Sequence, residues 1–352
     1  MDFLANNFLN DIFGFLTRFF YEFFGSYGIA IIALTILIRG ILIPLNVRSQ
    51  RSMMKQQALA SKQAEIKRKY PDDKQKQNEE IQKMMQEKGA MSMGGCLLPF
   101  VQLFLIWPIF YVVKAPLRYI SQVSKENIAS LASFLFSKTA ITEQAVKMIG
   151  SDDIPILRAF QQNAELLPEA VKQGFIKMGQ VIDLNFLGID LSMQPQWHPD
   201  YLFGAEWQTY LPLLILPVLV LLTTLLQMRL TTLMKPNRLA DKDAKERARA
   251  NPARKDQVPE NNMENTMKIM TWTMPVIMLI TTFSMPSAMA LYWLIGNFMA
   301  IIQQFVIYIM FTRPMEHKKA EMEILKAQAF GKSVPAEASV TESGFGSKKK
   351  KR

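Results

Sequence analysis

Two uncharged apolar stretches, residues 269–285 and 289–311, are separated only by Pro286, Ser287 and Ala288. A helix needs about 20 predominantly apolar residues to cross the hydrocarbon core of a bilayer, and three residues allow only a tight turn between two such helices. The pair is therefore expected to form an antiparallel transmembrane hairpin. Three further stretches are of the same kind: 27–45, which contains one charge (Arg39), and the charge-free 96–113 and 211–228. The expected fold is an all-α polytopic membrane protein of five transmembrane helices. A chain of 352 residues that is 49% hydrophobic yet has a net charge of +11 fits this division, because its two halves of character sit in different environments.

Lysine and arginine locate the aqueous loops, since cytoplasmic loops hold the excess. Residues 46–95, 229–268 and 312–352 carry 11, 10 and 10 basic residues, whereas 1–26 and 118–206 together carry 8. The alternation places the N-terminus outside and the C-terminus in the cytoplasm. The expected organisation is an external amphipathic interfacial helix (1–24), TM1 (25–45), a cytoplasmic helical hairpin (46–95), TM2 (96–117) and an extracytoplasmic region (118–206). TM3 (207–228), a cytoplasmic loop (229–268), TM4 (269–285), an outer turn (286–288), TM5 (289–311) and a basic cytoplasmic tail (312–352) follow.

Within 1–24, Asn6, Asn7, Asn10, Asp11, Thr17, Arg18 and Glu22 recur opposite Leu4, Phe8, Ile12, Leu16, Phe19, Phe20 and Phe23, the pattern of a helix lying at a membrane surface; a sixth span is the alternative. These first residues lack the pattern of a cleavable signal peptide. In the cytoplasmic loop, 47–70 and 74–88 read as two helices broken by YPDD and ended by Gly89. Several short helices are expected in 118–206, and a flexible polar tail beyond Met315.

Arg39 is the residue whose place topology does not explain. A guanidinium inside an apolar span costs roughly 2.5–3.5 kcal/mol on insertion scales. One reading is snorkelling toward the cytoplasmic interface, about 9 Å away along the helix. The other is a water-filled cavity in which a fixed positive charge attracts an acidic or polar part of an entering guest. Polar walls are available from Gln102, Thr223, Gln227, Asn297 and Gln304, with Trp293 on the same helix face as the last two. Taken singly, each such group is more simply an interhelical hydrogen bond. No acidic residue lies within any span, which leaves Arg39 without an internal ion-pair partner and argues against a proton relay. Prolines in four spans predict kinked helices. Met263, Met267, Met270, Met274 and Met278 form a helical stripe into TM4 that reads either as a slide for varied apolar guests or as lipid-facing filler.

One cysteine (Cys96) and two distant histidines (His198, His317) exclude a disulfide framework and a zinc site. The spans hold no nucleophile with a base, no paired carboxylates and no phosphate loop, so the chain is not read as an enzyme and no cofactor is implied. The terminal Lys348, Lys349, Lys350, Lys351 and Arg352 suit ribosomal RNA phosphates or anionic lipid. Nothing points to DNA.

Several stretches carry a resemblance that covers most of the chain: GSYGIAIIALTILIRGILIPL, KYPDDKQKQNEEIQKMMQEKGAMSMGGCLLPFVQLFLIWPIFY, NFLGIDLS and MPSAMALYWLIGNFMAIIQQ. In order and topological place they resemble the YidC/Oxa/Alb membrane protein insertases, in a short form without the large periplasmic domain. The resemblance implies five helices around a hydrophilic groove open to cytoplasm and lipid. Arg39 falls on the family's groove arginine, and Gln102 and Asn297 on polar positions of its motifs. It also implies insertase and chaperone activity toward nascent membrane proteins, alone or with the Sec translocon, and contacts with the signal recognition particle or its receptor and with the ribosome. Residues 121–180 and the second cytoplasmic loop match poorly. A small-solute transporter or channel is the alternative that shares an intramembrane charge, although five unequal spans show no paired repeat. An assembly scaffold is a third reading.

Overall fold

A computed structural model describes residues 8–89, 94–139, 152–234, 250, 273 and 275–329. It is predominantly helical, with one two-residue β ladder. Three helical stretches are long and apolar enough to cross a membrane: Tyr27–Ser52, Trp207–Leu233 and Ser287–Lys318. Two shorter apolar helices, Phe104–Lys114 and Pro275–Ser284, fall within the second and fourth expected spans. The chain divides into two compact units. The first comprises Met1–Ile43, Leu97–Leu225 and Trp272–Met299; the second comprises Pro44–Cys96, Leu226–Thr271 and Ala300–Arg352.

In the first unit, helix α1 (Phe8–Phe24) ends at Gly25, whose φ of 66° lets its N–H reach back to the Tyr21 carbonyl at 2.8 Å. Its packing differs from that of a water-soluble amphipathic helix in part of each stripe. Asn10 and Thr17, two members of the polar stripe, are fully buried, while Phe8, Phe15, Phe19 and Phe23 are more than half exposed. Gly14 makes this contact close, because a Cβ there would lie 2.7 Å from the Tyr119 ring. Neither stripe is turned wholly one way: Asp11 and Glu22 stay exposed, Phe13 is buried, and Ile12, Leu16 and Phe20 pack half-buried against the core, while the exposed phenylalanines suit lipid surroundings.

The region after helix α5 (Gly94–Lys114) packs into the same apolar core as Phe13, Tyr27, Ile31 and Leu34. Helices α6 (Pro116–Tyr119), α7 (Lys125–Phe136), α8 (Ile154–Gln162) and α9 (Leu166–Lys172) bury Leu117, Ile128, Leu131, Leu135, Ile156 and Leu157, joined by Ile182 and Leu184. Ser124 caps α7 by accepting the Asn127 N–H at 3.2 Å. The hairpin of β1 (Asn185–Phe186) and β2 (Ile189–Asp190) departs from the all-helical expectation. Two strand residues per side lie below what alternation of apolar and polar residues can reveal. Helices α10 (Pro199–Phe203) and α11 (Trp207–Leu213) lead into α12 (Ile215–Leu233). The break at Leu214 follows Pro212, as expected of a proline-interrupted span.

Helix α2 (Tyr27–Ala58) runs beyond Leu45, the expected end of TM1. It continues without interruption past Pro44, so the expected separate helix from Val47 is instead the end of α2 followed, after Leu59, by α3 (Ala60–Lys69). Pro44 removes only the N–H that would bond the Gly40 carbonyl, and open space surrounds Gly40. In the second unit, α4 (Lys74–Glu87) pairs with α3. Asp73 caps it by accepting the Lys76 N–H at 2.9 Å, and Gly89, at φ 57°, follows its end. Also there, a π-helical turn (Tyr308–Thr312) leads into a helix over Arg313–Ala329, where a flexible tail was expected. Composition argues poorly at this point, since EHKKAEMEILKAQA is polar yet built of strong helix formers.

Candidate functional site

Within the first unit, α2 and α13 (Ser287–Ile307) bring Arg39 and Gly296 together. A Cβ on Gly296 would lie 2.7 Å from Arg39 Nη2 and 3.4 Å from Cζ and Nε, so the guanidinium occupies the space that a side chain would take. Arg39 is half-buried. Tyr292, one turn earlier on α13 and itself buried, lies within its electrostatic reach. Among the described residues no carboxylate comes within ion-pair distance of Arg39. Beside it, Ile36, Gly40, Ile41 and Ile43 are exposed. The charge therefore sits at the edge of the packed helices, held by a glycine notch.

Asn297, the next residue, does something different. It is buried, and its Nδ2 lies 2.8 Å from Thr224 Oγ1, 3.2 Å from Thr223 Oγ1 and 3.4 Å from the Val220 carbonyl. Thr224 and Thr223 in turn donate to the Val220 and Leu219 carbonyls, each at 2.7 Å. Trp293 is buried too. Asn297, Thr224 and Trp293 are thus packed between helices, and the bonds of Asn297 are those of the simpler interhelical reading. Thr223 stays half-exposed. Gly296, whose absent side chain seats the guanidinium, has no signal in a single sequence.

Gln227 and Gln304 belong to the second unit, where both are half-buried. There Asn46 donates to Gln303 at 3.1 Å, and the Arg51 guanidinium lies 3.8 Å from the centre of the Phe311 ring. Met278 packs half-buried against the first unit's core. The side chains of Gln102, Met270 and Met274, and residues 348–352, lie outside the described set.

At the far end of α5 a second constellation of charge closes the folded region on the helix. Lys114 Nζ pairs with Asp152 at 2.6 Å, the Asp153 N–H donates to the Lys114 carbonyl at 2.7 Å, and Asp153 Oδ2 accepts the Arg118 N–H at 3.0 Å. Asp153 is fully buried, its Oδ1 has no partner among the described residues, and burial pushes its carboxyl up to about 7. Burial also raises the Asp152 carboxyl, against the opposing pull of Lys114. Among the described residues no group of His, Cys, Asp or Glu could hold a metal ion.

The profile of the family described as 60Kd inner membrane protein matches residues 19–314. "Membrane protein insertase YidC" of Alkalihalophilus pseudofirmus is 23% identical over 296 residues, covering 82% of this chain and 75% of that protein. "Membrane protein insertase YidC 2" of Bacillus anthracis is 25% identical over 297 residues, 83% of this chain and 76% of its own length. The protein of the first name from Caldanaerobacter subterraneus is 37% identical over 101 residues, 29% of this chain, which spans about half (49%) of that relative. The chain belongs to the 60Kd inner membrane protein family, that of the YidC/Oxa/Alb insertases.

Proposed function

We propose that the protein is a membrane protein insertase and chaperone of the plasma membrane, with five spans, its N-terminus outside and its C-terminus in the cytoplasm. A hydrophobic segment of a nascent protein enters a hydrophilic groove at Arg39, which holds the segment's acidic or polar flank while its apolar residues pass into lipid. Transfer of those residues out of water drives the step; the groove lowers the cost of moving a short polar flank, and no nucleotide is required. Gln102 and Thr223 complete the polar lining on the same unit, and Met270, Met274 and Met278 offer an adaptable apolar path. The helical pair α3 and α4 is the proposed receiving arm for substrates or targeting components. The Sec translocon, the signal recognition particle or its receptor, and the ribosome are the proposed partners, the last through Lys348 to Arg352.

The observation that carries this reading is the Arg39 guanidinium, half-buried in an apolar span, seated on Gly296 and without a carboxylate partner among the described residues. A photo-crosslinking amino acid at Gly40, exposed beside Arg39, tests it against ribosome-bound nascent chains of increasing length. Adducts that appear when the first apolar segment emerges, and vanish as it integrates, are expected. Purified protein that takes up small solutes and gives no such adducts would instead support the transporter reading.

A further inference from the structure

The turn between β1 and β2 carries an unusual choice of residue. Leu187 and Gly188 have φ of 53° and 80°, the two positive values of a two-residue hairpin turn in which Asn-Gly or Gly-Gly is favoured. A leucine there strains the backbone, and this one is also 87% exposed. In water both features are unfavourable and neither has a return. In the interfacial layer of a bilayer the exposed side chain is favourable and offsets the strain.

Three contacts fix the height of that turn. Phe186 packs on Gly28 at the start of the Tyr27–Ser52 span, so closely that a Cβ on Gly28 would lie 2.4 Å from the Phe186 ring. Just beyond β2, the Leu191 carbonyl accepts the Ala288 N–H at 3.0 Å and the Met193 carbonyl accepts the Ser287 N–H at 2.8 Å. Both donors open the Ser287–Lys318 span. The hairpin therefore lies where two apolar helices begin. The segment that follows exposes Trp197 (67%) and Phe203 (86%) before Trp207 opens the third long span. Large aromatics at the ends of spans are the composition of a membrane–water boundary.

We infer that Leu187, Trp197 and Phe203 insert into the lipid headgroup and acyl boundary on this face, so that the hairpin and the segment before the third span anchor the folded region to the leaflet. The occupant is phospholipid, because Leu187 lies on the hairpin held where two apolar helices begin, and Trp197 and Phe203 lie on the segment that runs into a third. The inference goes beyond the insertase reading and requires only that the spans cross a bilayer.

Bimane attached to Leu187→Cys in a Cys96→Ser background, with the full chain in lipid nanodiscs, tests it. Replacing ordinary phospholipid by brominated phospholipid is expected to cut emission about twofold or more, and aqueous iodide to quench at least about threefold less than at Glu126→Cys, an exposed site on α7. Phe203→Cys, on a helix with ordinary backbone angles, is expected to behave alike and guards against disturbance of the strained turn. Iodide quenching equal to that at Glu126 without a bromolipid effect, or shielding from both quenchers as in contact with another protein, would overturn the inference.

Discussion

Asn297 Nδ2 and Thr224 Oγ1 meet at 2.8 Å across 73 residues of chain and tie the α13 helix to α12. Asn297 is one residue from Gly296 yet serves packing, whereas Gly296 serves Arg39. Two neighbouring positions of one motif are thus separable by mutation. Asn297→Ala leaves both threonine hydroxyls their backbone carbonyls, so the loss is the interhelical bond itself, worth about 0.6–1.7 kcal/mol in membrane proteins. The expected outcome is a lower unfolding midpoint in detergent with unchanged preference among substrates of different flank charge. A selective loss of acidic-flank substrates would place Asn297 in the groove after all.

Gly296→Ala should behave in the opposite way. Its Cβ would meet Nη2 at 2.7 Å, the far end of a flexible side chain, so the arginine head gives way before any backbone does. Stability is expected to hold, while insertion of substrates with acidic flanks falls by about threefold, the scale of a displacement of a few tenths of an ångström at a positioned group. Arg39→Ala should lose that preference altogether, and substrates with neutral flanks should be affected less. Insertion into proteoliposomes, compared across flank charges, measures both. Equal loss for all flanks would remove the electrostatic role of Arg39.

The contrast between these residues shows where the sequence could and could not be read. Apolar length and the single charge at Arg39 are one-dimensional properties, so the long spans and the candidate residue were legible. Which polar groups in the spans face one another depends on helix rotation and packing, and thus Asn297 could not be assigned between groove and helix contact. The burial of Asn10 and Thr17 on α1 was hidden for a related reason: an amphipathic pattern shows two faces but not which of their residues meet protein. The short β hairpin and the extension of α2 past Pro44 depend on neighbours rather than on local propensity.

Close approaches at glycines predict a graded response. Gly14 and Gly28 leave no room, at 2.7 Å from Tyr119 and 2.4 Å from Phe186, while nothing lies within 4 Å of a Cβ on Gly40. Gly14→Ala and Gly28→Ala are expected to destabilise by about 1–3 kcal/mol through overpacking. Gly40→Ala should be neutral or stabilising by up to about 1 kcal/mol through helix propensity. Thermal unfolding of the three variants in one detergent compares them, and a destabilised Gly40→Ala would mean that this face of α2 is covered.

The last prediction concerns pH at the junction of α5 and α8. The buried Asp153 carboxyl is raised from 3.8 to about 7, so the folded protein holds its proton over a window in which the unfolded chain has released it. Stability of the junction is therefore expected to fall as pH rises from about 4 to about 7 and to level off above, by an amount of order 4 kcal/mol if the whole shift is expressed. Asp152 is raised as well and contributes in the same direction, moderated by its pairing with Lys114, while the Arg118 charge opposes the rise at Asp153. Asp153→Asn keeps an acceptor for the Arg118 N–H and removes the titrating group. It is expected to flatten most of the dependence and to be more stable than the parent at pH 8. Hydrogen exchange of α8 amides at pH 5 and pH 8, corrected for intrinsic rates, reads the effect directly. Protection that rises with pH in the parent, or a dependence unchanged in Asp153→Asn, would show that another group governs the junction.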